Sequence, residues 1–276
     1  MGKIMKGRIP QDFRCRIIYS DIDGTLLNSN HHISLDTREK ILELDERGIP
    51  FILVSARMPD GVETIRKELG NHRPIICYGG GLVLDEDGQA IYSRQMELEL
   101  AVEIRDIVKE MFPGICCNAY GGNLWVVEDD KDSRVMLEEK IVAGKSLAGD
   151  MREVFEKDGG IHKFLFMGCP EEIRQAEIFL KNRYPKMSVS RSKETYLEVM
   201  DGAVDKAEGV RILCRHYGIS PEEAAAFGDG ENDVGMLKAV KYGFAMGNAQ
   251  ESVKEQAEFV TLTNDEEGIL EVIRGL

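Results

Sequence analysis

The sequence contains no apolar run that approaches the length of a membrane-spanning helix. Its opening stretch, MGKIMKGRIPQDFRCR, lacks the apolar block of a secretory signal, and Lys6 stands where a myristoylation signal has Ser or Thr. These absences predict a cytoplasmic protein without a membrane partner.

Cysteines are few and their spacing matches no known metal or disulfide pattern. Of the six, only Cys116 and Cys117 are adjacent, and no pair has the Cys-x-x-Cys spacing. The sequence therefore predicts neither a zinc knuckle nor a disulfide framework, and we expect reduced thiols in the core.

Positive charge is scarce relative to negative charge: 35 Lys and Arg stand against 49 Asp and Glu, which gives a formal net charge of -14. An excess of negative charge repels nucleic-acid backbones and anionic membranes, so neither is an expected partner. If the substrate is itself an anion, local cations or a metal ion must hold it. The sequence does not predict an oligomeric state.

The chain does contain the pattern of a parallel sheet. Its 276 residues, 43% of them hydrophobic, suffice for one large domain or two ordinary ones. Continuous apolar runs separated by amphipathic helices predict strands covered on both faces. The predicted strands are residues 16–20, 50–54, 74–78, 223–227 and 242–246. Such sheets carry their sites beyond the carboxyl ends of the strands.

The pattern changes between residues 83 and 193, where longer amphipathic segments alternate with strand-like pieces such as NLWVVED and HKFLFMG. We interpret this part as a second α/β unit inserted into the first, because the parallel-sheet pattern resumes at TYLEVMDGAVDKAEGV. The predicted fold is therefore α/β, with a Rossmann-like core made of residues 1–82 and 194–276 and an inserted domain of residues 83–193.

Two acidic clusters follow predicted strands. Asp21 and Asp23 end the first strand, and Gly24 permits a strained turn there. Asp229, Asn232 and Asp233 lie in GDGENDVGML after a later strand. Hard oxygen ligands of this kind suit magnesium, and two acidic strand ends of one sheet can share one ion. An Asp-Gly turn and a solvated acidic loop are the structural alternatives.

Two further residues are candidates for phosphate binding. Ser55, followed by Ala56 and Arg57, comes directly after a strand, where a hydroxyl and backbone amides can hold phosphate oxygens or a serine can merely cap a helix. Lys206 opens a predicted helix, at the end where the helix dipole disfavours a cation, so a nearby anion would explain it. Most lysines are simply solvated.

In order along the chain, DIDGT, Ser55, Lys206 and GDGEND resemble the four motifs of the haloacid dehalogenase superfamily of phosphotransferases. The resemblance extends to the Cof-type subfamily, which inserts a large α/β cap at the position of residues 83–193. It implies a magnesium-dependent phosphatase for small phosphorylated metabolites such as sugar phosphates, with specificity set by the cap.

The resemblance also implies roles for single residues. Asp21 would be the nucleophile that forms an aspartyl phosphate, and Asp23 the general acid and then base. The Asp21 side chain, the Asp23 backbone carbonyl and Asp229 would hold Mg²⁺, with Asp233 as a further or supporting ligand.

Lys206, Ser55 and Asn232 would hold the transferring group, and the amide of Ala56 would support the geometry.

The match is incomplete at three places. Gly79-Gly80-Gly81 stands where the subfamily often has Asn-Gly-Ala, Asp205-Lys206-Ala207 replaces Asn-Lys-Gly, and Ser55-Ala56-Arg57 replaces Thr-Gly-Arg. Arg57 either reaches the substrate or pairs with a neighbouring acid. A phosphomutase similar to the phosphomannomutases and a non-catalytic phosphate-binding regulator remain as alternatives.

Overall fold

The structure, a computed structural model, describes residues 13–142 and 144–276; most of the basic opening segment, on which the absence of a leader was predicted, lies outside them. Sixteen strands fall within these residues: β1 (Ile17–Asp21), β2 (Phe51–Val54), β3 (Ile75–Cys77), β4 (Leu82–Leu84), β5 (Ala90–Ser93), β6 (Met96–Glu97), β7 (Cys116–Gly121), β8 (Leu124–Val127), β9 (Leu147–Ala148), β10 (Gly160–Ile161), β11 (Lys163–Met167), β12 (Met187–Lys193), β13 (Tyr196–Asp201), β14 (Ala224–Gly228), β15 (Tyr242–Ala245) and β16 (Phe259–Val260).

Ten α-helices lie in the same part of the chain. They are α1 (Leu35–Glu46), α2 (Pro59–Leu69), α3 (Leu98–Met111), α4 (Ser133–Val142), α5 (Met151–Phe155), α6 (Pro170–Arg183), α7 (Lys206–Tyr217), α8 (Val234–Lys238), α9 (Glu251–Lys254) and α10 (Gly268–Ile273). Among the described residues, no helix combines the length and apolar character needed to cross a membrane.

The chain divides into two compact units. The core unit comprises the chain up to Arg57, Val62–Tyr92 and Asp205–Leu276, and the inserted unit comprises Met58–Gly61 and Ser93–Val204.

The core unit contains an eight-stranded sheet in the order β16-β15-β14-β1-β2-β3-β4-β5. The pairs from β16 to β3 are parallel, and β4 runs antiparallel to β3. All five apolar runs predicted as strands are strands of this sheet, so the predicted α/β fold with a parallel core is confirmed. Every residue of β1, β2 and β14 is buried, as expected for strands covered on both faces.

Local sequence explains where the first helix begins and ends. The Ser34 side chain accepts a hydrogen bond from the Thr37 amide and so caps α1. Gly48, two residues beyond the helix, takes a φ of 81°, which a residue with a side chain adopts only with strain. The helix therefore turns back sharply into β2.

The inserted unit has its own core around a six-stranded sheet in the order β12-β13-β11-β7-β8-β9. Its central pairs are antiparallel. Apolar residues of α3 and α6 pack with Phe164, Phe166 and Leu197 from this sheet. Trp125 is buried, and its indole N–H donates to Asn118 Oδ1 over 3.0 Å.

The boundaries between the units differ from those expected, 82/83 and 193/194, by about ten residues each. β4 and β5 continue the core sheet, so the first boundary falls after Tyr92. The segment beginning at Tyr196 is not a resumption of the parallel core: β13 pairs antiparallel with β11 and β12 in the inserted sheet. An isolated apolar strand has the same sequence pattern in either kind of sheet, which is why the pattern misled here.

The cysteines are only partly the core thiols that were expected. Cys15, Cys77 and Cys214 are buried, whereas Cys169 is exposed at the start of α6. All six are free thiols.

Candidate active site

Three neighbouring strands bring the motif residues to one edge of the core sheet. Ser20 of β1 pairs with Phe227 of β14, and Asp21 pairs with Val54 of β2. The residues that follow these pairs, Asp229 on one side and Ser55 on the other, therefore flank the end of β1. The parallel register places motifs that are about 200 residues apart in sequence next to each other.

Lys206 connects two of these carboxylates. Its ammonium Nζ lies 2.5 Å from Asp21 Oδ1 and 2.5 Å from Asp233 Oδ1. The lysine side chain is 2% exposed, although it begins a helix and carries a full charge. A buried cation is tolerated only when it is paired and hydrogen-bonded, and the two acids supply that environment.

The other polar atoms of Asp229 and Asp233 are tied to the protein. Asp233 Oδ2 accepts hydrogen bonds from the backbone amides of Asp229, at 3.0 Å, and Gly230, at 2.8 Å. Asp229 Oδ1 accepts from the Thr25 hydroxyl over 2.7 Å. These bonds fix the orientation of both carboxylates before any ligand arrives.

Asp21, Asp229 and Asp233 could hold a metal ion, since one oxygen of each lies within 4.8 Å of the others. The set consists of carboxylate oxygens alone, which suits a hard divalent cation. The hydrogen bonds from Lys206 to Asp21 and from Thr25 to Asp229 both end on the Oδ1 atom, so neither bond uses the Oδ2 atom of its acceptor. Gly24 packs directly against this second oxygen of Asp229, because a Cβ at position 24 would lie only 2.5 Å from Asp229 Oδ2.

The charges of the cluster do not balance without a further cation, since three carboxylates surround one ammonium. Burial raises the pKa of Asp21 to about 7; Lys206 opposes this rise, and Asp233 and Asp229 add to it. Burial also raises the pKa of Asp229, against the Thr25 hydrogen bond. Burial alone would lower the pKa of Lys206, but Asp21 and Asp233 outweigh it and raise the value. A bound cation would reduce the electrostatic repulsion among the three carboxylates.

Asp23 lies two residues beyond Asp21 and faces a different partner. Arg57 donates to both of its carboxylate oxygens, from Nε over 2.9 Å and from Nη2 over 2.6 Å. Of the two roles left open for Arg57, pairing with a neighbouring acid is the one found. The Asp23 side chain is half exposed, unlike that of Asp21, so the two carboxylates of the motif have different environments.

The predicted phosphate-binding residues differ in how deeply their side chains are buried. Ser55 is buried at the end of β2, and its hydroxyl accepts from the Arg57 amide over 3.2 Å, with Ala56 between them. Asn232 lies in the turn with Asp233, but its side chain is exposed and takes no part in the hydrogen-bonded cluster of the described residues. The structure thus brings together Asp21, Lys206, Asp229 and Asp233 and leaves Asn232 at the rim.

Sequence reasoning did not single out Thr25, Asn248 or Gly80. Thr25 belongs to DIDGT, and the motif itself was the available signal for its bond to Asp229. Asn248 donates to the Gly24 carbonyl oxygen over 2.8 Å, a contact across 224 positions that no local pattern predicts. Gly80 was considered only as part of a departure from the expected Asn-Gly-Ala.

Comparison with known proteins agrees with this geometry. A family model for haloacid dehalogenase-like hydrolases matches residues 18–273. A Haemophilus influenzae protein with a provisional phosphatase name is 36% identical over 92% of this chain and 95% of its own length. Phosphatase YwpJ of Bacillus subtilis is 29% identical, with 95% of this chain and 99% of its own covered.

Solved structures give the same assignment. A haloacid dehalogenase-like hydrolase from Bacteroides thetaiotaomicron has a TM-score of 0.85 and 31% identity, covering 95% of this chain and 99% of its own. A Thermotoga maritima protein has a TM-score of 0.86 and 29% identity, with coverages of 95% and 97%. The sequence-based assignment to a phosphatase family is confirmed: this chain belongs to the haloacid dehalogenase-like hydrolases.

Proposed function

We propose that the protein is a Mg²⁺-dependent phosphatase of small phosphorylated metabolites that works through an aspartyl-phosphate intermediate on Asp21. The observation that carries the proposal is the buried cluster in which Lys206 bridges Asp21 and Asp233 while Asp229 completes an oxygen triad. Phosphoryl transfer consists mainly of positioning and charge neutralisation, and this cluster offers both.

The two aspartates of the first motif have separate tasks in this mechanism. A carboxylate oxygen of Asp21 attacks phosphorus, the bond from phosphorus to the leaving oxygen breaks, and Asp23 gives that oxygen a proton. Asp23 then takes a proton from water, which attacks the phosphoryl group and releases Asp21. The half-exposed position of Asp23 supports its task, since a proton carrier must reach solvent or substrate.

Asp21, Asp229 and the backbone carbonyl of Asp23 would hold the magnesium ion, with Asp233 supporting the lysine and the loop. The ion supplies neutralisation of the charge on the nucleophile and the phosphate when it is bound. Lys206 and Ser55 would hold the phosphate oxygens, the lysine as a charge and the serine as a hydroxyl. Ala56 would contribute backbone geometry, and Asn232 would have to turn inward from its exposed position.

The substrate class is a small monoester, such as a sugar or sugar-alcohol phosphate. One relative supports the polyol class: 5-amino-6-(5-phospho-D-ribitylamino)uracil phosphatase of Bacillus subtilis, 25% identical over 96% of both chains. The net charge of -14 fits local capture of an anion by Lys206 better than capture by a broad positive surface.

Phosphate release from a panel of sugar, sugar-alcohol, nucleotide, pyridoxal and flavin phosphates tests the proposal, with Mg²⁺ and with chelator. Asp21→Asn should abolish Mg²⁺-dependent release, because an amide is a poor nucleophile. Asp87→Asn, at an exposed loop position, is the matched control and should keep full activity. Wild-type rates in a pure Asp21→Asn protein, or phosphate release that continues unchanged in chelator, would refute the mechanism.

A further inference from the structure

The feature that carries a further inference is Gly80, in the turn after β3. Its φ is 101°, and a Cβ at this position would overlap the carbonyl oxygen of Asp205 and lie 2.6 Å from its carbonyl carbon and 3.1 Å from the backbone nitrogen of Lys206. The atoms that Gly80 touches therefore belong to the peptide that begins α7 at Lys206. A backbone neighbour cannot rotate away as a flexible side chain can.

The turn that carries Gly80 is fixed from its other side. The Gly79 amide donates to the Ser55 carbonyl oxygen over 2.8 Å, and the Tyr78 amide donates to that of Arg57 over 3.0 Å. These bonds tie the turn to the loop of the proposed phosphate site. A side chain added at position 80 would therefore strain the turn, whose φ of 101° is rare for a residue with a side chain, and would also press on the peptide that begins α7.

The start of α7 also packs closely on α8 and on β3. A Cβ at Gly235 in α8 would lie 2.6 Å from Asp205 Oδ1, and one at Gly209 would lie 2.7 Å from Ile76 Cγ2. Asp205 also caps the helix, because its Oδ1 accepts from the Ala207 amide over 3.0 Å. The first turn of α7 is therefore closely packed, and a displacement forced on the Asp205 peptide would carry Lys206 with it.

We infer that Gly80 is a positioning residue for Lys206: its missing side chain sets how closely the start of α7 approaches the sheet edge, and this depth places the ammonium on Asp21 and Asp233. Both ion pairs measure 2.5 Å. A shift of the helix start would move Lys206 with it and so alter both ion pairs, since Lys206 is the first residue of the helix.

A crystal structure of Gly80→Ala tests the geometry without reference to activity. Lys206 Nζ should move beyond hydrogen-bonding distance of Asp21 Oδ1, while Asp21 and Asp229 keep their places. Gly88→Ala is the matched control, because Gly88 has a φ of 79° and nothing within 4 Å of its added Cβ. Unchanged Lys206 contacts in Gly80→Ala would overturn the inference.

A double-mutant cycle tests the consequence, and this part rests on the proposed phosphatase function. Gly80→Ala should lower kcat/KM by up to about 100-fold in the wild-type background, since a misplacement of about 1 Å can cost that much. In a Lys206→Met background the same change should cost less than about threefold, because the residue through which it acts is gone. Independent, multiplying losses would overturn the inference.

Two outcomes separate this inference from the proposed function. Absence of phosphatase activity in the wild type refutes the proposed function, and the crystallographic comparison still decides the placement of Lys206. If Gly80→Ala does not fold, Gly235→Ala takes its place in both experiments. Its added Cβ would contact the side-chain oxygen Oδ1 of Asp205, so it should shift Lys206 by a smaller distance.

Discussion

Removal of the Lys206 charge is the perturbation whose size follows most directly from the structure. Lys206→Met keeps much of the side-chain volume and leaves Asp21 and Asp233, which are 10% and 1% exposed, without their ammonium partner. Breaking a buried ion pair on one side costs about 3–5 kcal/mol. We expect the free energy of unfolding in chelator at pH 8 to fall by about that amount.

The loss should depend on pH in a definite direction. In the wild type, the raised pKa of Asp21 means that stability linked to this group is present below about pH 4 and is lost as pH rises through about 7. Lys206 opposes the rise in that pKa, so without the lysine the carboxyl stays protonated to higher pH and stability continues to fall. The difference between variant and wild type should therefore widen above pH 7.

Urea unfolding at pH 5 and pH 8, in chelator, measures both effects. Lys67→Met is the control: the Lys67 side chain is 74% exposed and its ammonium lies 3.8 Å from Glu63 Oε1, so its removal should cost less than about 1 kcal/mol. Equal losses for the two variants, or a loss at Lys206 that is larger at pH 5 than at pH 8, would refute the reasoning about the buried cluster.

Three further variants test separate parts of the site. Asp21→Asn should flatten the pH dependence of unfolding in chelator, because the raised pKa of this carboxyl makes the wild type lose stability as pH rises from about 4 to about 7; an unchanged slope from urea titrations would contradict its raised pKa. Thr25→Val should weaken Mg²⁺ binding by about 10- to 100-fold in calorimetry, because Asp229 loses the hydroxyl that orients it, whereas Thr25→Ser should bind as the wild type does. Arg57→Lys should lower kcat by about tenfold with little change in KM or stability, since the forked pair with half-exposed Asp23 becomes a single contact; an unaltered kcat would show that this pair does not orient Asp23 for its proposed proton transfer.

Much of the core could be predicted from sequence because its strands carry their own signal. Runs such as FILV and AAAF are apolar at every position, and each ends in polar residues at the same sheet edge. Parallel order then brings together the three motifs that follow β1, β2 and β14, whereas Lys206 begins a helix and comes after a strand of the inserted sheet. The family resemblance added the roles of single residues, which the apolar pattern cannot supply.

What sequence could not predict depends on contacts across long separations or on the direction of a strand. The strand at Tyr196 has the pattern of the core and belongs to the inserted sheet, because pairing direction leaves no mark on a short apolar run. The forked bond from Arg57 to Asp23 depends on side-chain direction at two loops. The packing of Gly80 on Asp205 is invisible in a Gly-Gly-Gly stretch, where the three residues look alike.

The ion pair between Lys206 and Asp21 joins positions 185 residues apart, and β1 lies between an early neighbour, β2, and a late one, β14. During synthesis β1, which carries the proposed nucleophile, therefore leaves the ribosome long before Lys206, its cationic partner. Ser93–Val204, a continuous segment of the inserted unit, is complete before Lys206 is made. The sheet around the Asp21 carboxylate stays incomplete until the last quarter of the chain is made. The three carboxylates proposed to surround the cation are thus complete only late in synthesis, and a chain truncated before residue 206 would have Asp21 without Lys206, Asp229 and Asp233.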